Sequence, residues 1–185
     1  MNNKKWLLGC FLCLALVQLF VPAWIIIQRE MTLRNGQPFR FQTDPISVKD
    51  IFDKRSISLP ISQNPVPKPS NIQLFPNQLV YVLVDKDDQG FARIESLSLH
   101  KPKGNDFFKA EVDYVKGRQV YLNLPFDRYY LEEKPFPAVS DDYQKNDRKA
   151  PQEGSVVVRI DKGRAVLEEL YIEGKPVLEF LENFK

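Results

Sequence analysis

An apolar segment from Trp6 to Ile27 contains no charged residue and constrains the rest of the chain more than any other feature. As an α-helix it extends for about 33 Å, which is enough to cross the roughly 30 Å hydrocarbon core of a bilayer. The segment is longer than the apolar core of a signal peptide and ends in bulky residues rather than in a small-residue cleavage site. The sequence therefore predicts a retained transmembrane helix over residues 6–28, with residues 1–5 before it and a domain over residues 29–185 after it.

The charges on either side of this segment predict its orientation. Lys4 and Lys5 precede the helix, whereas Arg29 and Glu30 follow it with opposite charges. Because positively charged residues tend to stay on the cytoplasmic side of a membrane, the N-terminus is predicted to be cytoplasmic and the domain extracytoplasmic. For a bacterial protein, this arrangement predicts a single-pass protein of the inner membrane with a periplasmic domain.

Composition excludes several classes of function for the domain. All 24 acidic residues follow Ile27, as do 24 of the 26 basic residues, so the formal charges of the domain cancel. A neutral domain is not expected to bind nucleic acid. Both cysteines, Cys10 and Cys13, lie in the apolar segment, and His100 is the only histidine. We therefore predict no catalytic triad, no cofactor and no metal site in the domain.

Beyond the helix, the sequence predicts a mainly β domain. Asn35-Gly36 predicts the end of the helix, and Asp44-Pro45 predicts a turn soon afterwards. Alternation of apolar and polar residues, or a high content of β-branched and aromatic residues, predicts strands over residues 39–43, 57–61, 79–84, 91–99, 108–114, 119–122, 156–160 and 164–172. Their order predicts an antiparallel meander that folds into a barrel-like or sandwich domain.

Two segments are predicted to be mobile loops. Residues 62–71 include three alternating prolines, which favour an extended polyproline II path outside the core. Residues 136–155 are polar and have no hydrophobic period. The tail from Val177 to Lys185 is amphipathic, and its pattern is compatible with either a final strand or a short helix.

Several groups of residues, in a fixed order, carry a resemblance to a known family. They are a lead-in that contains Asp50, the aromatic strand 81–84, the segment Phe126 to Glu133, and the hairpin from Val156 to Pro176. Over nearly its whole length, the chain resembles the GDYXXLXY family of uncharacterised, membrane-anchored bacterial proteins. The namesake signature is degenerate, because Lys54-Arg55-Ser56 and Ile61 replace its Gly-Asp-Tyr and its final Tyr, while Leu59 is retained.

This resemblance implies a fold and a location rather than an activity. Members of the family are often associated with multipass membrane proteins, which implies such a partner here. The candidate binding residues are Asp50, Arg128, Tyr129 and Glu133, which keep the family pattern where the signature has changed. On a strand, Arg128 and Tyr129 point to opposite faces, so we predict that Tyr129 enters the core. Arg128 is then left either to pair with a carboxylate or to face a partner.

Three classes of function are compatible with these features. The first is a membrane-anchored accessory domain that associates with a multipass membrane protein through loops on a β scaffold. The second is a β-barrel carrier of a small apolar molecule or lipid, lined by Phe107, Phe108, Tyr114, Phe126, Tyr129 and Tyr130. The third is a membrane peptidase with a Ser/Lys dyad drawn from Ser56, Ser58 or Ser62 and a nearby lysine. No glycine-rich turn presents these serines, so we predict an accessory domain rather than an enzyme.

Overall fold

The computed structural model describes residues 2–46, 56–70, 72–104, 106–130 and 152–182. The chain begins with a long helix, α1 (Asn2–Asn35), whose large apolar side chains are exposed outside the domain. From Lys5 to Asn35, this helix is long and apolar enough to cross a membrane. Its last turn enters the domain, where Thr32 is fully buried and its carbonyl oxygen accepts a hydrogen bond from the backbone of Gly36 at 2.9 Å. The predicted end of the helix at Asn35-Gly36 is confirmed.

The remaining described elements are strands and one short helix. The strands are β1 (Gln37–Ile46), β2 (Ser56–Ser58), β3 (Val66–Pro67), β4 (Leu79–Lys86), β5 (Ala92–Ser98), β6 (Phe107–Lys116), β7 (Gln119–Asn123), β8 (Arg128–Tyr130), β9 (Gln152–Asp161), β10 (Arg164–Ile172) and β11 (Lys175–Pro176). The short helix, α2 (Val177–Glu182), follows at once. The described part of the tail is therefore helical, and the predicted mainly β fold is confirmed.

The strands form three antiparallel sheets. One sheet contains β1, β9, β10 and β11 in that order, and a second contains β3, β7, β6, β4 and β5. The third consists of β2 and β8 alone and is called the β2–β8 ribbon below. Because β4 pairs with both β5 and β6, the predicted central position of the strand over residues 79–84 is confirmed.

The five-stranded sheet curls into a nearly closed barrel. Two side-chain amides attach the segment before β3 to two strands of this sheet, β7 and β5. The amide of Asn64 donates to the carbonyl oxygen of Leu122 at 2.8 Å and accepts from its N–H at 3.0 Å. The amide of Gln63 forms a matching pair of bonds with the backbone of β5, each at 2.6 Å. The described part of segment 62–71, which was predicted to be a mobile loop, is therefore attached to the sheet. These amides supply ladder bonds that its proline-rich backbone provides poorly.

A cluster of three buried phenylalanine rings joins the sheets. Phe126 lies between the other two, with its ring centroid 5.1 Å from that of Phe41 and 5.3 Å from that of Phe108. Phe41 belongs to β1, Phe108 belongs to β6, and Phe126 lies in the turn before β8. Phe108 meets both Phe126 and Phe41 edge to face, and such ring pairs add about 0.5–1.5 kcal/mol to the effect of burial. The cluster therefore stabilises the contact between the two larger sheets and the turn that leads into β8.

Two predicted boundaries were wrong, because β1 and β9 pair with each other beyond their predicted bounds. Instead of turning at Asp44-Pro45, β1 continues to Ile46 through an irregularity in its pairing with β9. Correspondingly, β9 begins at Gln152, inside the segment 136–155 that was predicted to be a loop. The polar sequence of residues 152–155 does not reveal that residues 42–46 of β1 offer a pairing partner. The rest of that segment, residues 136–151, lies outside the described residues.

A bulge in β6 reverses the predicted orientation of Tyr114. The pairing of β6 with β7 shifts register between Val112 and Tyr114, and an extra residue in one strand moves the next side chain to the other face. Tyr114 was predicted on the inner face and is instead 44% exposed, where its ring stacks on that of Tyr121 with centroids 4.2 Å apart. The pKa of the Tyr114 phenol is raised, mainly by desolvation and secondarily by the neighbouring Tyr121.

The hairpin of β9 and β10 lies beside the end of α1. Its turn, Lys162-Gly163, has positive φ angles of 47° and 93°, as a two-residue type I′ turn requires. Gln37, which follows the helix junction, pairs with Ile160 close to this turn. The turn also contacts the start of β6, where Phe108 and Gly163 form an isolated bridge. The predicted hairpin is confirmed, and its turn marks the helix-proximal end of the domain.

Candidate functional site

The β2–β8 ribbon contains the candidate residues that the structure describes. In its antiparallel register, Ser58 lies opposite Arg128, Ile57 opposite Tyr129, and Ser56 opposite Tyr130. Because side chains alternate along a strand, Ile57 and Tyr129 share one face, whereas Arg128 and Tyr130 share the other. The ribbon therefore has an inner and an outer face of different chemistry.

The inner face of the ribbon packs on the core. Ile57 is fully buried, and Tyr129 is partly buried against the main hydrophobic cluster. The hydroxyl of Tyr129 donates to Oε1 of Glu169 in β10 over 3.4 Å, which is long for such a bond. Tyr129 thus lies on the core side, as its alternation with Arg128 predicts, and it connects the ribbon to the four-stranded sheet.

The outer face of the ribbon presents a cation and an aromatic ring to solvent. Tyr130 is 71% exposed, compared with 44% for Tyr114, and Arg128 is also exposed. Among the described residues, no hydrogen bond or ion pair involves the guanidinium of Arg128. Arg128 and Tyr130 therefore form an outward-facing pair.

The other two candidate residues, Asp50 and Glu133, lie outside the described residues. Their proposed roles, including a pairing of Arg128 with Glu133, therefore stay predictions. The structure does bring together β2, which follows Asp50 in the chain, and β8, which precedes Glu133. The backbone N–H of Leu59 donates to the carbonyl oxygen of Asp127 at 2.7 Å, which continues the contact between β2 and β8 beyond the ribbon.

This contact joins the degenerate signature to the motif that begins at Phe126. Leu59 and Ile61, the described signature positions beyond the ribbon, are buried in the core at 2% and 3% exposure. A family model described as GDYXXLXY protein matches residues 18–170 of the chain. The chain belongs to the GDYXXLXY family. Searches of curated proteins and of solved structures return no significant match.

In this GDYXXLXY protein, two positions of the changed signature still place apolar side chains in the core. Leu59 is retained, and an isoleucine in place of the final tyrosine still fills the core at position 61. The lost Gly-Asp-Tyr positions correspond to residues 54–56, of which only Ser56 is described. Ser56 lies opposite Tyr130 on the ribbon, so this one altered position borders the outer face.

The two serines of the ribbon lie opposite an arginine and a tyrosine. Ser58, one of the serines considered for a Ser/Lys dyad, lies opposite Arg128 rather than opposite a lysine. Within the described ranges, no cluster of three or more His, Cys, Asp or Glu residues is arranged to hold a metal ion. Arginine and tyrosine side chains are both enriched at the centres of protein interfaces.

Sequence reasoning missed Tyr130 as a site residue. It was counted among aromatic residues around a carrier cavity, together with Tyr114, and both are exposed. Phe108 and Phe126 from the same set pack directly against each other in the core. The available signal was the alternation itself, because a core position for Tyr129 requires that Tyr130 point outward.

Proposed function

We propose that this protein is a membrane-anchored accessory domain in which Arg128 and Tyr130 bind a multipass membrane protein. The observation that supports this most directly is the outward-facing pair on a ribbon whose other face is fixed in the core. Tyr130 offers an apolar ring, and Arg128 offers a bidentate donor for a carboxylate of the partner. The accessory role is therefore one of recognition, and it requires no catalytic group.

The proposed location is the bacterial inner membrane, with residues 6–28 spanning the bilayer and the domain in the periplasm. The length and apolar character of α1, and the positions of Lys4 and Lys5 before the apolar segment, support this topology. Protease added to spheroplasts should then degrade the domain and leave the span with Met1 at its start. Protection of the domain, or a mature N-terminus beyond Ala23, would contradict the topology.

The position of the ribbon determines which part of a membrane protein it reaches. Thr43 bridges Ile61, just beyond β2, and Thr43 lies about 20 Å along β1 from the helix junction at Gln37. The ribbon thus stands clear of the helix-proximal end of the domain. We infer that it contacts an extramembrane loop or domain of the partner rather than its transmembrane helices.

Site-specific photo-crosslinking in cells tests this function. A photoreactive phenylalanine analogue at position 130 should crosslink to one membrane protein, whereas the same analogue at position 114 serves as an exposed aromatic control. Arg128→Ala in the position-130 background should weaken the crosslink without changing the melting temperature. Equal crosslinking from positions 130 and 114, or an undiminished crosslink with Arg128→Ala, would argue against a specific site on the ribbon.

A further inference from the structure

A second polar surface lies where β3 meets the turn between β6 and β7, and none of its residues belongs to the β2–β8 ribbon. It is an open groove of about 550 Å³ whose lining includes Lys68, Ser70, Ile72, Gln73 and Arg118. This volume falls within the roughly 300–1,000 Å³ of small-ligand sites. We propose that this groove binds a small soluble molecule that carries a phosphate or carboxylate group, with Lys68 and Arg118 as the anion-binding residues.

Backbone pairing places the two cations opposite each other. The N–H of Lys68 donates to the carbonyl oxygen of Arg118 at 2.8 Å and so continues the pairing of β3 with β7. Gly117, with a φ of 61°, forms the tight turn that returns the chain from β6 to this position. Like charges directly opposite each other on paired strands destabilise a sheet, so an anion between them would be favourable.

Neither cation is neutralised by a neighbour in the described parts of the chain. The ion pairs found there join Arg34 to Glu30 and Arg159 to Glu168, and no described carboxylate lines the groove. The rest of the lining consists of two neutral polar side chains, two apolar side chains and one glycine, namely Ser70, Gln73, Pro69, Ile72 and Gly117. This combination fits an anionic group attached to a small uncharged body such as a sugar.

The groove lies at the end of the domain remote from α1. The start of β6 is helix-proximal because Phe108 bridges Gly163 in the turn of the β9–β10 hairpin. From Phe108 to Lys116, at the far end of β6, the strand extends for about 26 Å. A lipid headgroup in the bilayer that α1 is proposed to cross is therefore out of reach, which favours a soluble ligand.

Titration calorimetry on the full-length protein in a zwitterionic detergent tests the groove. The probes are glucose 1-phosphate and glucuronate, with glucose as the uncharged control. We expect either anion to bind with one-to-one stoichiometry and an affinity that falls as salt is added. Lys68→Gln combined with Arg118→Gln should weaken binding about tenfold or more, which corresponds to about 1.4 kcal/mol.

The matched control combines Arg93→Gln with Lys101→Gln, which removes two exposed positive charges elsewhere on the domain. This control should bind like the parent and, like the parent, melt at a higher temperature when glucose 1-phosphate is added. If the groove variant unfolds too readily to be titrated, the single change Lys68→Gln replaces it. Failure of the parent to bind either anion, equal binding of glucose, or equal loss in both double variants would overturn the proposal. Binding only to phosphatidylglycerol vesicles would overturn the assignment of a soluble ligand.

Discussion

Arg159 holds the carboxylate of Glu168 through two hydrogen bonds, from Nε at 2.7 Å and from Nη2 at 2.9 Å. Its third nitrogen, Nη1, donates to the carbonyl oxygen of Gly36 at 3.2 Å, directly after α1. The hydrogen bond to Glu168 is the main cause of the raised pKa of Arg159. Glu168 lies at a register shift between β10 and β9, so one guanidinium connects this irregularity to the helix junction.

We predict that Arg159→Lys lowers the free energy of unfolding by about 1–2 kcal/mol, because lysine keeps the charge and loses the bidentate fork. The side chains of Arg159 and Glu168 are 27% and 35% exposed, so solvent screens this pair less than a fully exposed one. The matched control is Arg34→Lys, whose pair with Glu30 is 76% and 53% exposed and should contribute less than about 0.5 kcal/mol. Thermal unfolding in detergent measures both, and equal melting temperatures for the two variants would contradict the role of Arg159.

Asn64 provides a second test, because its amide replaces a strand partner for Leu122. Asn64→Asp keeps the size of the side chain but places a carboxylate oxygen against the carbonyl of Leu122. We predict a loss of about 1–3 kcal/mol near neutral pH. The loss should shrink as the pH falls, because a protonated carboxyl can donate to that carbonyl. Asn123→Asp makes the same change at an exposed strand position and should melt like the parent.

The two neighbouring tyrosines of β8 should respond differently to truncation. Tyr129→Ala removes a ring that packs on the core and should cost about 1–3 kcal/mol. Tyr130→Ala removes an exposed ring and should change stability by less than about 0.5 kcal/mol. Denaturant melts of both variants measure this difference. If Tyr129→Ala melts like the parent, the assignment of the inner face of the ribbon is wrong.

The stacked pair of Tyr114 and Tyr121 predicts a pH effect. The folded state holds the proton of Tyr114 more tightly than the unfolded chain, because its pKa is raised above the ordinary value of 10.0. The resulting stabilisation is present below that unfolded pKa and is lost as the pH rises through the folded pKa. Tyr121→Leu should lower the Tyr114 pKa in a titration of labelled tyrosine ring resonances, whereas Tyr130→Leu should leave it unchanged.

The parts of the fold that were predicted correctly are those for which neighbouring residues in the sequence carry a signal. Gly163 supplies the positive φ that a tight hairpin turn needs, and the alternation in β1 or β4 identifies a buried face without knowledge of the partner strand. The opposite orientations of Arg128 and Tyr129 also follow from two adjacent positions on one strand. For that reason, the core side of the candidate site could be predicted before the fold was known.

The parts that sequence missed depend on non-local partners. In the sequence, the polar residues Gln63 and Asn64 indicate a loop. Their attachment to the sheet is apparent only in the fold, where the backbones of β5 and β7 lie beside them. A period of two cannot reveal the extra residue in β6 that turns Tyr114 outward. The pairing of β2 with β8 likewise joins segments that are distant in the chain, so no local pattern predicted that Ser56 lies opposite Tyr130.

Because α1 passes directly into the domain, the length of the helix determines the direction in which the domain faces. Asn35 is still helical, Gly36 is buried against it, and Gln37 already pairs with Ile160, so no swivel separates the helix from the sheet. Each residue of an α-helix advances the chain by about 100° around the axis and about 1.5 Å along it. Removing one residue between Gln28 and Asn35 would therefore swing the ribbon about a quarter of a circle around the axis of α1, relative to the first part of the helix. The number of residues from Gln28 to Asn35, more than their composition, therefore sets the direction in which the ribbon faces around the helix axis.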